Sequence, residues 1–382
     1  MSQPVVTAVT YWSRDLGPYL WHEFDAERTR HDLQLMAHAG VPMVRTLLPW
    51  DVFMPAVSRP DAKALRNLEI LLTAAETVDM RVIPVLFAQA LGDCIALPPY
   101  AIDVDASRPG VRAVSGGVVQ PGGPRDQYTD PRMLEAELRW IEGLLAAFAG
   151  NPAIAMWDLG HDPATVMRPR RIEHLRSWAA TLVAQLRDAG ERSALTLGVR
   201  DVTTARGVRL DAVAAVDTIG IAVDDAALDF ARGPHDGRGL AFLAQLALAL
   251  AGAERPLHAH LSVAHDEGLD TDARRRLTRD AVDRLIASGC AGVHALAWSD
   301  CSERMERVAP FDRRPQLAHR GVVDVNGERT GFGDAWLQVA AAAPDAHAPA
   351  PWPERLDSAD YYANLPHSIE DLFAAWQRDV DD

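Results

Sequence analysis

The chain has 382 residues, 48% hydrophobic and 24% charged, with a formal net charge of -15. Such a length and apolar content suit a soluble globular protein with a large core. An acidic surface argues against nucleic acid and anionic membrane as partners.

Lys63 is the sole lysine, so arginine carries nearly all the positive charge, which reads as compositional bias. The opening MSQPVVTAVTYWSRD has no basic region followed by an apolar stretch. No signal peptide is therefore expected, and a cytoplasmic location is. Leu240 to Ala253 is too short and Ala-rich to span a bilayer. Cys94, Cys290 and Cys301 are odd in number and lack metal-ligand spacing, so free thiols are expected.

In chain order, Val5 to Tyr11 reads as a strand emptying into a Gly/Pro loop that carries Trp12, Tyr19 and Trp21. Asp25 caps a helix from Ala26 to Ala39, stopped by Gly40. Strand two is Met43 to Leu48, closing on Pro49-Trp50, and Asp61 opens a helix to about Asp79. Strand three is Arg81 to Phe87. A long irregular segment, Ala88 to Asp130, holds Pro98-Pro99, Gly116-Gly117 and a Pro121 to Pro124 turn. Pro131 starts a helix to Ala149.

Ala153 to Trp157 is an apolar run that reads as buried strand four, with Asp158 to Asp162 as the loop beyond it. A helix from about Arg170 to Ala189 follows, then strand five, Ala194 to Val199. Strand six is Val216 to Val223, with its helix at Leu240 to Ala251. Strand seven is Leu257 to Val263, with a helix from Asp270 or Thr271 to Ser288. Strand eight is Gly292 to Trp298, and a last helix runs from Phe332 to Ala342. Short connections on one side and long ones on the other imply a parallel sheet with helical crossovers. Eight such units, with no G-x-G-x-x-G after strand one, predict an α/β fold of the (β/α)8 TIM barrel kind with long loops. Residues 1-342 are expected to form the barrel. Residues 343-382 form a Pro/Ala linker and a C-terminal helix with Ile369, Leu372, Phe373 and Trp376 on one face.

Several landmarks together carry a family likeness. They are TYWSRDLGPYLW after strand one, VRTLLPWDVFMP after strand two, RVIPVLF, MWDLGHDP after strand four, RPLHAHLSV, ALAWSD after strand eight, and PFDRRPQLAHRGVVDVNGE. In their order and spacing the chain resembles the glycoside hydrolase family 5 type of barrel, the cellulase and β-mannanase-like group. The resemblance implies a retaining mechanism with two glutamates. One, in Asn-Glu-Pro after strand four, is the acid/base; the other, in Glu-Phe-Gly after strand seven, is the nucleophile. Here His161-Asp162-Pro163 stands at the first place, and Leu261, or His260 if the register slips by one, at the second. Asp162 is an acid one methylene short, and a catalytic group about 1 Å out of place costs on the order of a hundredfold. Leucine cannot attack an anomeric carbon.

The same resemblance gives Arg45 as the arginine that supports the nucleophile and Trp298 as an aromatic platform under a sugar ring; Trp12, Tyr19, Trp21 and Trp50 are candidates to join it. His161 replaces an asparagine expected to contact a sugar hydroxyl. Asp300, Glu303, Asp224, Asp225, Asp266 and Glu267 are loop acids able to supply a relocated carboxylate. His258 and His260 share one strand face and could bind a metal with Asp162 or Asp158. Three readings follow. The first is a sugar-binding or pseudoenzyme relative. The second is an active O-glycosyl hydrolase using Asp162 with a loop acid, and the third a metal-dependent hydrolase using the histidine pair. The expected partner is a saccharide, with no cofactor.

Overall fold

Each barrel strand forms where an apolar run can pack outward against helices while its alternate side chains fill the barrel interior. In the computed structural model these strands are β1 (Val6–Thr10), β2 (Met43–Leu47), β3 (Arg81–Val85), β4 (Trp157–His161), β5 (Ser193–Gly198), β6 (Thr218–Asp224), β7 (Leu257–Ser262) and β8 (Gly292–Ala295). The structure describes residues 3–87, 90–106, 110–205, 208–224, 228–231, 237–252, 255–262, 269–348, 352 and 356–381. The strands close into one barrel in the order β1-β8-β7-β6-β5-β4-β3-β2, with every pairing parallel. The (β/α)8 expectation holds.

The outer layer is α1 (Ala26–His38), α2 (Ala62–Thr77), α3 (Pro131–Phe148), α4 (Ile172–Asp188), α5 (Val199–Thr203), α6 (Arg238–Ala251), α7 (Thr271–Ala287) and α8 (Gly331–Ala342). Side-chain caps fix several starts. Asp25 accepts from the Glu27 and Arg28 amides, Asp61 from Lys63 and Ala64, and Asp270 from Ala273. The fifth unit is the weak one, because α5 has only five residues and a 3-10 turn at Leu210–Val213 completes the crossover. Two helices of the tail, α9 (Ser358–Ala363) and α10 (His367–Asp381), lie over this thin place. Tyr361 and Tyr362 donate to the Val202 and Asp201 carbonyls, Phe373 stacks edge-on to Phe242 at 5.0 Å, and Trp376 Nε1 donates to Gln245. Among the described residues no helix is long and apolar enough to cross a membrane. All three cysteines are free and buried.

Two expectations need correction. Strand four is not Ala153 to Trp157 but Trp157–His161. Trp157 and Leu159 point outward into the core, while Asp158 projects inward, where partners wait for its charge. Asp158 to His161, read as a loop, are thus strand, because this stretch of the barrel interior is itself polar. The segment after β3 is not irregular throughout. Cys94–Ala96, Arg112–Ser115 and Val118–Gln120 join Ala90–Leu91 in a four-stranded sheet. Gly116 and Gly117, with φ of 57° and 78°, make the two-residue turn of its hairpin.

Candidate functional site

Polar side chains fill the middle of the barrel. Arg45 from β2 is 1% exposed, and its Nη2 donates to Asp158 Oδ2 of β4 at 2.8 Å, with Nε adding a bond at 3.2 Å. The Thr196 hydroxyl on β5 donates to the same oxygen at 2.6 Å. The Gly160 and Thr196 amides donate to Asp158 Oδ1 at 3.2 and 3.1 Å. Every lone-pair direction of this carboxylate is therefore answered, which is the condition for a buried charge to persist. Thr196 has spent its proton on Asp158, so across 3.3 Å the His260 Nε2 must be the donor. Burial keeps this ring uncharged, so its single proton sits on Nε2.

Three more histidines continue the layer. His260 meets His294 of β8 edge-on at 4.6 Å, His294 meets His258 at 4.9 Å, and His161 meets His260 at 6.4 Å. Burial, then Arg45, pushes the His161 imidazole down to about 3. Burial, then Arg192, takes His258 to about 4. Burial and neighbouring positive groups hold His260 and His294 well below the ordinary range. All four are uncharged near neutral pH. The cavity that His258, His260 and His294 line with Arg45, Asp158 and Thr196 has about 10 Å3. That is the scale of one water, far below a sugar ring. A Cβ on Gly220 would sit 2.5 Å from Thr196 Oγ1, so the network tolerates only glycine there.

The rim is built differently. Asp162 follows β4 in a left-handed conformation, φ 50°. Its Oδ2 accepts from the Thr165 hydroxyl at 2.6 Å, and Oδ1 has no hydrogen-bond partner among the described residues. The carboxyl lies against β5, where a Cβ on Gly198 would meet Oδ1 at 2.6 Å. Asp201, wholly buried on α5, holds the other side of Gly198. It accepts from the Gly198 amide at 2.9 Å and the Val208 amide at 2.6 Å. Burial, then Asp162, pushes Asp201 up to about 8, and burial raises Asp162.

The remaining expected residues are placed plainly. His161 ends β4, partly exposed, with Nδ1 lacking a protein partner among the described residues. Trp50 is 0% exposed, packed on Phe87 and Trp140, with its indole N–H given to Tyr100. Trp12 is 2% exposed against Phe311, and Trp298 is 6% exposed. An aromatic platform needs an open face, and these three indoles are occupied by the protein itself. Asp300 is buried, accepts from the Gly321 amide at 2.7 Å, and is pushed up to about 6 by burial. It ties the chain after β8 to the strand at Gly321–Val323. Glu303 is exposed in a 3-10 turn. Asp225, Asp266 and Glu267 lie outside the described residues, as does the side chain of Asp224.

Leu261 packs in the apolar core at 1% exposure, while His258 and His260 share the interior face as alternation requires. Among the described residues no three His, Cys, Asp or Glu side chains are set to hold a metal ion. The sequence reading missed Thr196, His294 and Asp201. Only the interior phase of β5 and β8 could have found the first two, and nothing local marks Asp201.

No protein-family profile matches the sequence, and no curated protein sequence matches it. Solved structures do. A GH5_18 protein from Streptomyces cattleya in complex with Manβ1-4GlcNAc superimposes with a TM-score of 0.81 at 17% identity, over 98% of this chain and 91% of that one. The exo-β-1,4-mannosidase Op5Man5 from Opitutaceae bacterium strain TAV5 gives 0.72 at 17% identity; 90% of this chain spans only 60% of it. An endo-β-1,4-mannanase from Thermotoga petrophila gives 0.63 at 12% identity, over 90% of this chain and 77% of that one. At these identities the likeness speaks for the fold alone, the (β/α)8 barrel.

Proposed function

We propose that this protein is a carbohydrate-active barrel that binds a saccharide at its C-terminal mouth and does not hydrolyse it by the two-glutamate retaining route. One observation carries the reading: what stands at the ends of β4 and β7. Retaining hydrolysis sets two carboxyls about 5–5.5 Å apart across the glycosidic bond. Asp162 is bonded to Thr165 and laid against Gly198. Leu261 is buried in the apolar core, and His260 is locked to Thr196. Neither can serve as nucleophile.

Binding has independent support. Structural relatives carry Manβ1-4GlcNAc, and a neutral saccharide suits a mouth whose His161 is uncharged. In this reading Arg45 is structural, committed to Asp158, and His161 is the contact for a sugar hydroxyl. Residues 1-342 form the barrel and 343-382 a tail docked on α6.

A second reading rests on the raised Asp162 carboxyl, the property of a general acid. An inverting hydrolase would pair it with a base roughly 6.5–9.5 Å away. Two experiments separate the readings. Calorimetry with Manβ1-4GlcNAc is expected to register binding, and a 4-nitrophenyl β-glycoside panel to release no nitrophenol. Nitrophenol release abolished by Asp162→Asn overturns the proposal in favour of the second reading.

A further inference from the structure

A second cavity, about 40 Å3, opens where the loops after β1, β2, β3 and β8 meet. Tyr19, His22, Leu47, Cys94, Val114 and Pro310 line it, and neither His161 nor Asp162 does. His22 belongs to a polar pair. Its Nε2 lies 3.1 Å from Asp51 Oδ2, which also accepts the Gly116 amide at 2.7 Å. The Asp51 side chain is 3% exposed and that of His22 21%. In the neutral imidazole, the nitrogen facing the carboxylate carries the proton and Nδ1 is an acceptor. Neither His22 Nδ1 nor Asp51 Oδ1 has a hydrogen-bond partner among the described residues.

His22 lines the mostly apolar cavity and Asp51 holds it from behind, so an unanswered acceptor on that wall calls for a ligand that brings a hydroxyl donor. The pair is well supported. Asp51 sits on the short helix Trp50–Phe53, whose Trp50 and Phe53 are locked among Trp140, Phe87 and Trp21. Covalent chemistry is not indicated. Burial, then Asp93, pushes the Cys94 thiol up to about 12, so it stays protonated and unreactive. The volume exceeds the roughly 10–15 Å3 that one water needs and falls short of a sugar ring. It matches one hydroxymethyl arm.

We propose that His22, held by Asp51, forms a subsite that receives a hydroxymethyl group of the saccharide bound at the mouth and accepts a hydrogen bond from its hydroxyl. This rests on the saccharide-binding reading. The test is calorimetry on the whole chain with Manβ1-4GlcNAc and its two mono-6-deoxy analogues, using wild type, His22→Ala and Ala96→Leu. Ala96 lines the cavity, so the leucine fills it without removing a hydrogen bond. Thermal melting checks that each variant folds.

Wild type is expected to bind one deoxy analogue about tenfold more weakly than the parent, the worth of one buried hydrogen bond. His22→Ala loses that discrimination, and Ala96→Leu weakens the parent by about the same factor. Equal binding of parent and both analogues by wild type overturns this subsite alone. So does discrimination kept in His22→Ala, or unchanged parent affinity in Ala96→Leu. No binding of any of the three sugars by wild type overturns the subsite and the saccharide-binding reading together.

Discussion

Asp158 and Asp162 are four residues apart at one strand end, yet the barrel interior and the rim treat them in opposite ways. Asp158 is ringed by Arg45, Thr196 and two backbone amides. Asp162 has one hydroxyl partner and a second carboxylate, Asp201, across Gly198. The interior spends its polar groups on one another and leaves room for about a water. The rim leaves an acid underserved and favours its proton. Position in the fold alone therefore does not make a carboxylate reactive; its partners decide.

The largest way to break this contrast is Asp158→Ala. It strands the Arg45 charge inside the barrel and is expected to cost about 3–5 kcal/mol by urea unfolding. The pair replacement Arg45→Met with Asp158→Leu should recover most of that loss. A single-variant cost below about 1 kcal/mol would mean the interior pair is hydrated after all.

The pH dependence comes next. Unfolded imidazoles take up protons near pH 6.5. Folded His258 resists to about 4 and His161 to about 3, with His260 and His294 also held down. Below 6.5 the unfolded chain thus binds more protons, and stability falls as pH drops toward 4. The rim acts in the other direction. Folded Asp201 keeps its proton to about 8, while an unfolded aspartate loses it near 3.9. Its contribution is present at low pH and is lost as pH rises toward 8. Four imidazoles outnumber the two acids but finish titrating first, so denaturant midpoints measured from pH 4 to 9 should peak at or slightly below neutrality. Asp162→Asn should flatten the alkaline limb and leave the acid limb in place. An alkaline limb untouched by that substitution would separate Asp162 from Asp201.

Gly198→Ala drives a Cβ into Asp162 Oδ1 and should cost about 1–3 kcal/mol, relieved when Asp162→Ala is added. A neutral Gly198→Ala would place the Asp162 carboxyl elsewhere, toward the barrel axis. Thr165→Val is the mildest change. It removes the hydroxyl bonded to Asp162 and should cost about 1 kcal/mol by the same unfolding assay.

Much of the fold was legible in the sequence. Apolar runs such as Met43 to Leu48 and Gly stops such as Gly40 reveal the alternation, since outward packing is local in sequence. The strand-four frame was not, because Asp158 reads as loop until Arg45, 113 positions away, is known to face it. Leu261 and Asp162 could be picked out by order along the chain, but not the direction each side chain takes. Trp50 and Trp12 showed the limit most clearly. Aromatics at loop ends suit sugar stacking, yet burial among Trp140, Phe87 and Phe311 depends on contacts no local pattern encodes.

The most direct test of the central claim is prolonged calorimetric titration of the wild-type chain with Manβ1-4GlcNAc, with the sugar recovered and weighed by mass spectrometry at the end. Saturable binding heat with the disaccharide recovered intact is the predicted result. Recovery of free monosaccharides, in an amount that exceeds the protein and vanishes in Asp162→Asn, would contradict it.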